Sequence, residues 1–419
     1  MKINKLKLAV AGAVLATASV ANAGIIIPAG DWTLDINGNV NTYVNYTKSD
    51  NAQGSAVIGG LATAKNSNNV AAQNPDKALG INTGLLPAWL GFSGSTRQND
   101  VDVSFTISMQ PNTSDNTPGG DNNAPLFRQA FLQFGDKSWG SIKLGKDIGI
   151  FAHNAILNDM TLLGVGAVAT PRSGGATTFG GIGSGYIYAA WKGQATYTTP
   201  NFNGLTASVG IFNPNAIASS NYDATTLAAV ATGTNQDRFG FEGQIQYAFN
   251  QNDVSGKIWA SGATYDVTLA SATATYTAVA GDIGANINAG AFGLTGYYYG
   301  GSGAGTTYFG QQGVYAPDAA TKAKRDSDGG YIQVTYTAPF KTKFGVAYGI
   351  SNLDAANATD LANNARLVAE NERWTVGAYH PLTKHLNLVA EYNNIKSQAQ
   401  VSTNSQEAST YSAGAILFF

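Results

Sequence analysis

Between Asp31 and Thr47, apolar and polar positions alternate with a period of two. Trp32, Leu34, Ile36, Gly38, Val40, Thr42, Val44 and Tyr46 fall on one face. Thr33, Asp35, Asn37, Asn39, Asn41, Tyr43, Asn45 and Thr47 fall on the other. Successive side chains of an extended chain point to opposite sides, so this is a strand with one apolar and one polar face. Strands of soluble proteins usually run about 5–6 residues. A tilted strand that crosses a bilayer needs about 9–11 for the lipid part alone. Trp32 and Tyr46, at the two ends of the apolar face, suit the two interfacial belts of a membrane.

The alternation returns in Val101–Met109, where Val101, Val103, Phe105, Ile107 and Met109 oppose Asp102, Ser104, Thr106 and Ser108. It returns again in Arg238–Phe249, where Phe239, Phe241, Ile245, Tyr247 and Phe249 oppose Arg238, Glu242, Gln244 and Gln246. With the first strand, segments near 78–97, 101–111, 124–136, 139–147, 186–200, 204–213, 236–250 and 254–266 follow the same reading. Those near 277–290, 291–300, 326–339, 341–350, 370–381, 385–396 and 407–419 complete sixteen. Pro87 interrupts 78–97, and the alternation is poor around 277–290.

Connection lengths carry more than any one strand. Short turns are expected at Gln98–Asp100, Asp136–Gly140, Pro200–Gly204, Asn250–Asp253, Asn288–Gly290, Pro339–Lys341 and Pro381–Lys384. Long polar or Gly-rich stretches separate them at 48–77, 112–123, 148–185, 214–235, 267–276, 301–325, 351–369 and 397–406. Sixteen antiparallel strands produce this rhythm when both termini lie on the periplasmic side of a barrel. The last segment agrees: Tyr411, Ala413, Ala415, Leu417 and Phe419 share a face that stays apolar to the final residue. An open edge of that kind invites aggregation, whereas a closed barrel has no edge. The expected fold is therefore all-β, a 16-stranded antiparallel transmembrane β-barrel. Its last strand would pair with Asp31–Thr47, leaving Ile416 and Phe418 inward near the periplasmic rim. A large soluble β-sandwich is the competing reading, and it would need the length rhythm to be a coincidence.

The start of the chain points the same way. Lys2, Lys5 and Lys7 precede the apolar stretch Leu8 to Val20, and Ala21-Asn22-Ala23 supplies a small-x-small cleavage pattern. Residues 1–23 read as a secretory signal peptide, and 24–419 as the barrel domain. No later segment offers an apolar run of spanning-helix length. Charged residues make up 12% of the chain, about half the density of a soluble domain, which favours strands and polar loops. Cysteine is absent, which excludes disulfides and thiolate metal sites. Removing the three signal lysines takes the formal net charge from −2 to −5. That disfavours nucleic acid as a partner.

Several stretches carry a resemblance. Arg128-Gln-Ala-Phe-Leu-Gln-Phe-Gly135 is followed by a short turn and Trp139-Gly-Ser-Ile-Lys-Leu-Gly-Lys146. Tyr197-Thr-Thr-Pro-Asn-Phe-Asn-Gly204, His380-Pro-Leu-Thr-Lys-His385 and the terminal Phe419 come later. In order and spacing they resemble the Gram-negative general porins, particularly the β-proteobacterial outer-membrane porins. Departures are Lys146 in place of the usual arginine, Thr199 in place of serine, and a first strand with no inward arginine. They bear on the charge pattern of the pore rather than on the fold. The resemblance implies a homotrimer in the outer membrane of a Gram-negative bacterium, in contact with outer-membrane lipid. It also implies a third extracellular loop folded inward, at about 148–185. Delivery by periplasmic chaperones is implied too, as is recognition of the terminal aromatic by the barrel-assembly machinery. Tyr411, Leu417 and Phe419 would then serve closure and assembly. One feature of the residues supports an inward loop: Ile148 to Leu163 is too apolar to face water. A loop packed over a trimer neighbour is the other reading.

A constriction sets charges of opposite sign across a narrow passage. The acidic candidates are Asp147 and Asp159, both placed on the inward loop. The basic wall candidates are Arg128, Lys143, Lys192 and Arg238. Lys192 is the clearest, with Trp191, Ala195 and Tyr197 on the opposite, lipid-facing side. The phase of Arg128 is ambiguous, because Ala130, Leu132 and Phe134 share its parity. Each of these charges taken singly also fits an ordinary solvated rim or lumen position. Arg172 and His153 in the same loop read as structural. Gly140-Ser-Ile-Lys-Leu-Gly-Lys146-Asp147 mimics a phosphate-binding loop, but Asp147 stands where Ser or Thr must hold the metal. The Gly-rich runs at 180–185 and 300–305 read as flexible loops.

With three histidines, two at a periplasmic turn and one in the inward loop, no catalytic triad is well placed, so no enzyme is expected. No cofactor and no metal are expected either. The function read from these features is a porin: passive diffusion of ions and small hydrophilic solutes through a water-filled channel. The alternatives are a substrate-specific channel for sugar, phosphate or short acids, and a surface adhesin or antigen barrel without an open pore. The negative overall balance suggests weak cation selectivity. Trp32 and Trp139 are expected in the lower aromatic girdle, and Tyr46 and Tyr297–Tyr299 in the upper one.

Overall fold

The structure is a computed structural model that describes residues 24–50, 57–62, 77–111, 126–168, 177–213, 220–222, 229–231, 238–269, 274–315, 323–401 and 403–419. The expected signal peptide, Arg172 and parts of several long connections lie outside the described residues. Barrel strand β1 is Trp32–Ser49, and β2 comes in two pieces, Lys77–Asn82 and Trp89–Gln98. Then come β3 (Val101–Gln110), β4 (Leu126–Asp136), β5 (Gly140–Ile148), β6 (Trp191–Thr198) and β7 (Leu205–Phe212). Strands β8 (Gly240–Gln251), β9 (Val254–Leu269), β10 (Ala274–Ala289), β11 (Phe292–Ser302) and β12 (Asp326–Thr337) follow. The last four are β13 (Lys343–Leu353), β14 (Val368–Pro381), β15 (Leu386–Ala399) and β16 (Ser405–Phe418). Each pairs antiparallel with the next, and β16 pairs with β1 from Asn39↔Phe418 to Ser49↔Ala408, so the sheet closes on itself.

The expected break at Pro87 is real and has a local solution. Proline has no N–H to give a ladder, and β2 leaves the sheet between Asn82 and Trp89. The polar face of β1 satisfies the freed backbone. Asn39 and Asn41 donate to the carbonyls of Pro87 (3.0 Å) and Leu86 (2.9 Å), and Gly84 N–H donates to Asn41 Oδ1 (2.9 Å). By contrast, β10 is regular and pairs along its whole length with β9. Its alternation was obscured by Ala and Gly, which give little contrast between faces. One strand was not anticipated. Ile25–Ala29 turns back at Gly30 (φ +65°) and pairs with Trp32–Ile36. It lies on the β16 side of β1, beyond the point where β16 ends.

The polarity of the barrel is inverted relative to a soluble protein. On β1, Val40 and Val44 are 52% and 56% exposed, while Asn41 and Asn45 are 1% and 0%. Phe241, Ile245, Val279, Ile283, Ile332, Val334 and Val376 are likewise exposed. Leaving that many large apolar groups in water forfeits about 25 cal/mol per Å² of what burial would return. The arrangement is stable only where lipid surrounds the barrel.

Aromatic residues gather at both ends of the apolar band. At one end Tyr46 and Tyr392 pack on Tyr411, and Tyr348 on Trp374. At the other, Trp32 packs on Phe105, Phe134 on Trp139 and Phe292 on Tyr336. The girdle assignment of Tyr297–Tyr299 needs correction. Strand alternation puts only Tyr298 outside (55% exposed), while Tyr297 and Tyr299 are buried on the inner face.

At the seam the terminal residue is fully engaged. Gly38 N–H donates to Phe419 O (2.8 Å), and Phe419 N–H to Gly38 O (3.0 Å). A Cβ at Gly38 would stand 2.2 Å from Trp89 O and 2.6 Å from the Phe419 ring, so only glycine fits beneath that ring. Deleting Phe419 removes two closing hydrogen bonds and the ring. It is expected to lower the amount of heat-modifiable folded barrel in outer membranes more than it alters the conductance of what does fold. Wild-type levels of folded protein would contradict this.

Candidate functional site: the charged wall and the third connection

The segment between β5 and β6 is the longest described connection, and its polar groups find partners all around the barrel. It opens with Ile150 N–H donating to Glu242 Oε2 (2.6 Å). Helix α1 (His153–Asn158) and a 3₁₀ turn (Met160–Leu163) follow. The Tyr331 hydroxyl donates to Ala155 O (2.8 Å), Gln333 Nε2 to Asn158 O (2.7 Å) and the Tyr43 hydroxyl to Leu163 O (2.7 Å). Val165 and Gly166 N–H both donate to Glu391 Oε2 (3.0 and 2.8 Å). On the return, Gly185 N–H donates to Ser351 Oγ (3.0 Å). These partners lie on β1, β8, β12, β13 and β15. Apolar side chains complete the packing, with Phe151, Ala155, Ile156 and Leu162 buried in one cluster with Tyr186, Tyr297 and Tyr331. Burial pushes the imidazole of His153 down to about 4, with a ring nitrogen 2.8 Å from Ile150 O.

The Gly-rich runs at 180–185 and 300–305 are not free loops. Gly180–Gly185 is buried, and Gly303–Gly305 is buried beside it in a second connection, where Tyr188 N–H donates to Thr307 O (2.9 Å). Phe309 packs on Phe151 and Tyr265. Glycine is needed there for close approach: a Cβ at Gly305 would stand 2.0 Å from Gln311 O. The stretch 186–190, expected as strand, belongs to this packed connection.

The charged candidates resolve into pairs. Asp147 lies on β5, not in the loop, where it forms an ion pair with Lys143 and accepts from Gln129 Nε2 (2.9 Å). Lys192 forms an ion pair with Glu242 and sits 4.3 Å from the centroid of the Phe212 ring, with both charged side chains at most 3% exposed. Asp159 caps the 3₁₀ turn through Thr161 and accepts from the Tyr186 hydroxyl (2.8 Å), with Arg373 at 3.7 Å. Arg238 is not part of this group. It precedes β8, is 65% exposed and pairs with Asp266 (3.0 Å) at the rim.

Arg128 sits at a β-bulge. The register passes from Ser108↔Gln129 to Met109↔Phe127, which leaves Arg128 as the extra residue. That shift accounts for the ambiguous parity: Gln129 and Gln133 keep the inner phase, while the bulge re-aims Arg128. Trp191 is likewise not on a lipid-facing side, for Arg128 Cζ stands 6.0 Å over its ring.

Sequence reasoning missed four charged residues. Glu242 and Arg373 complete pairs, and Glu391 anchors the third connection. Arg325 makes a two-pronged contact with Asp360 (2.7 and 2.6 Å) and donates to Gln312 O, tying two further connections together. Glu242, Arg373 and Glu391 stand on polar faces, which marks them as inward. Nothing in the linear sequence tells which partner, on a strand dozens of residues away, each one meets.

Comparison with known proteins agrees with this architecture. No curated protein matches the chain. Among solved structures it is similar to the outer-membrane channel DcaP of Acinetobacter baumannii, with a TM-score of 0.67, 14% identity and coverage of 94% of this chain and 99% of that one. It is also similar to OmpF of Salmonella typhi in complex with daunomycin, with a TM-score of 0.56, 16% identity and coverage of 93% and 100%. OmpT of Vibrio cholerae gives a TM-score of 0.53 at 12% identity, covering 94% and 100%. At these identities the likeness is one of fold. The family model described as Gram-negative porin matches residues 9–400. With a closed 16-stranded barrel that is apolar outside and polar inside, the chain belongs to the Gram-negative porin family.

Proposed function

We propose that this chain forms a water-filled channel in the outer membrane, through which ions and small hydrophilic solutes diffuse passively. The observation that carries this reading is the inverted polarity of the closed barrel, with Asn, Thr, Ser and Gln on the inner faces. Conductance of the purified, folded protein in a planar bilayer tests it; a barrel that inserts without conducting would contradict it. The assembly is read as a homotrimer, delivered after cleavage behind Ala23, with no catalytic role. The contacts of the 149–190 segment support its reading as an inward loop that narrows the passage.

The pairing of charges also bears on selectivity. Asp147, Asp159, Glu242 and Asp360 each have a cationic neighbour, while Glu391 and Asp282 are buried and bonded to neutral donors. Arg128, Lys257 and Lys343 have no carboxylate within ion-pair distance among the described residues; they lie over Trp191, Trp259 and Tyr379. Loop charges more than about 8 Å from the passage are screened at physiological salt. Reversal potentials across a potassium chloride gradient are therefore expected to show mild anion preference, against the direction that the overall charge suggests. Clear cation preference would contradict this.

A further inference from the structure

Beside the third connection lies a partly open cavity of about 120 Å³. Its walls are mostly apolar, with Trp89, Ile156, Leu157, Phe179 and Trp191 beside the hydroxyls of Thr177 and Thr178. Among the described residues, Arg128 is the one charged residue in its lining. The volume is close to the ~150 Å³ of an apolar cavity that admits benzene, so it suits a single ring. Arg128 is held there by two features of the fold, the bulge that re-aims it and the Trp191 ring beneath its guanidinium. No carboxylate among the described residues lies within ion-pair distance of it. A guanidinium presents a planar fork of donors that matches a carboxylate bidentately.

We infer that this cavity is a binding subsite for a small organic anion with an apolar, single-ring body, a phenyl carboxylate, with Arg128 as the carboxylate anchor. The inference rests on the channel reading. A sugar would need a partner for each of its many hydroxyls, and beside Arg128 the described lining offers only the hydroxyls of Thr177, Thr178, Tyr188 and Tyr308 among mostly apolar side chains. An inorganic anion would leave those apolar side chains without a partner. An organic cation would meet Arg128 with like charge.

The test is current blockade. Single-channel recordings in potassium chloride are made with benzoate added, and with acetate and benzyl alcohol as probes of charge alone and ring alone. Benzoate is expected to give concentration-dependent transient blocks that are at least about tenfold weaker with either control. Arg128→Gln should weaken the benzoate block by about tenfold or more, in line with loss of a charge-assisted contact. Arg128→Lys should recover part of it, because the charge remains while the fork is lost. Trp191→Leu should lengthen neither the acetate nor the benzyl alcohol events but shorten those of benzoate. Equal block by acetate and benzoate, or an unchanged block in Arg128→Gln, would overturn the subsite while leaving the channel reading intact. Absence of conductance in folded wild-type protein would instead overturn the channel reading. Heat-modifiability of each variant on gels shows that it has folded.

Discussion

Lys192→Met is expected to lower the stability of the folded barrel by about 3–5 kcal/mol, the cost typical of removing one partner from a buried ion pair. Both side chains of the Lys192–Glu242 pair are nearly inaccessible, and Glu242 also holds the first turn of the third connection through Ile150 N–H. Without Lys192 the Glu242 carboxylate keeps that one hydrogen bond but loses its counter-charge. The strain lies in the residual charge, so a second change should relieve it. Glu242→Gln in the Lys192→Met background retains a carbonyl to accept from Ile150 and removes the charge. Thermal or urea unfolding in detergent is expected to place the double variant well above Lys192→Met alone. A double variant as unstable as the single one would show that lost packing against Phe212, not charge, was responsible.

Glu391→Leu is expected to release the middle of the third connection. Glu391 is the acceptor for Val165 N–H, Gly166 N–H, the Tyr379 hydroxyl (2.7 Å) and Asn393 Nδ2 (3.3 Å). Leaving a buried donor without a partner costs about 1–3 kcal/mol. Two orphaned backbone groups could therefore favour a displaced connection by on the order of a hundredfold in population. The displaced segment should open the passage, seen as larger and noisier single-channel conductance. Glu391→Gln keeps an acceptor and should stay near wild type. Unchanged conductance in Glu391→Leu would mean that the remaining contacts to Tyr331, Gln333 and Tyr43 suffice to hold the segment.

The two experiments concern different links between fold and function. The Lys192–Glu242 pair joins neighbouring parts of the wall to the point where the connection begins. Glu391, on β15, meets the middle of the same connection from another part of the wall. A connection fastened at its start and at its middle by buried carboxylates is held in one place.

The period-two pattern of Trp32–Tyr46 and the short–long rhythm of the connections determined the barrel, its strand number and which face meets lipid. Lipid and water impose opposite demands on alternate residues, and that conflict is written locally, residue by residue. It failed where contrast between faces was low and where the backbone departs from a regular strand. Ala and Gly blurred β10, and the bulge at Arg128 reversed the parity of its strand without leaving a mark in composition. Strict alternation parts Tyr298 from Tyr297 and Tyr299, and the expectation of one girdle for all three overlooked it. Tertiary structure alone decided the site. Lys192 meets Glu242, Arg373 approaches Asp159, and Glu391 meets Val165 and Gly166 across sequence separations that no local pattern encodes. Such pairings follow from the closure of the sheet and from the path of one connection among its inner faces. A buried charge is settled by the neighbour that arrives from elsewhere in the chain, and only the assembled barrel supplies that neighbour.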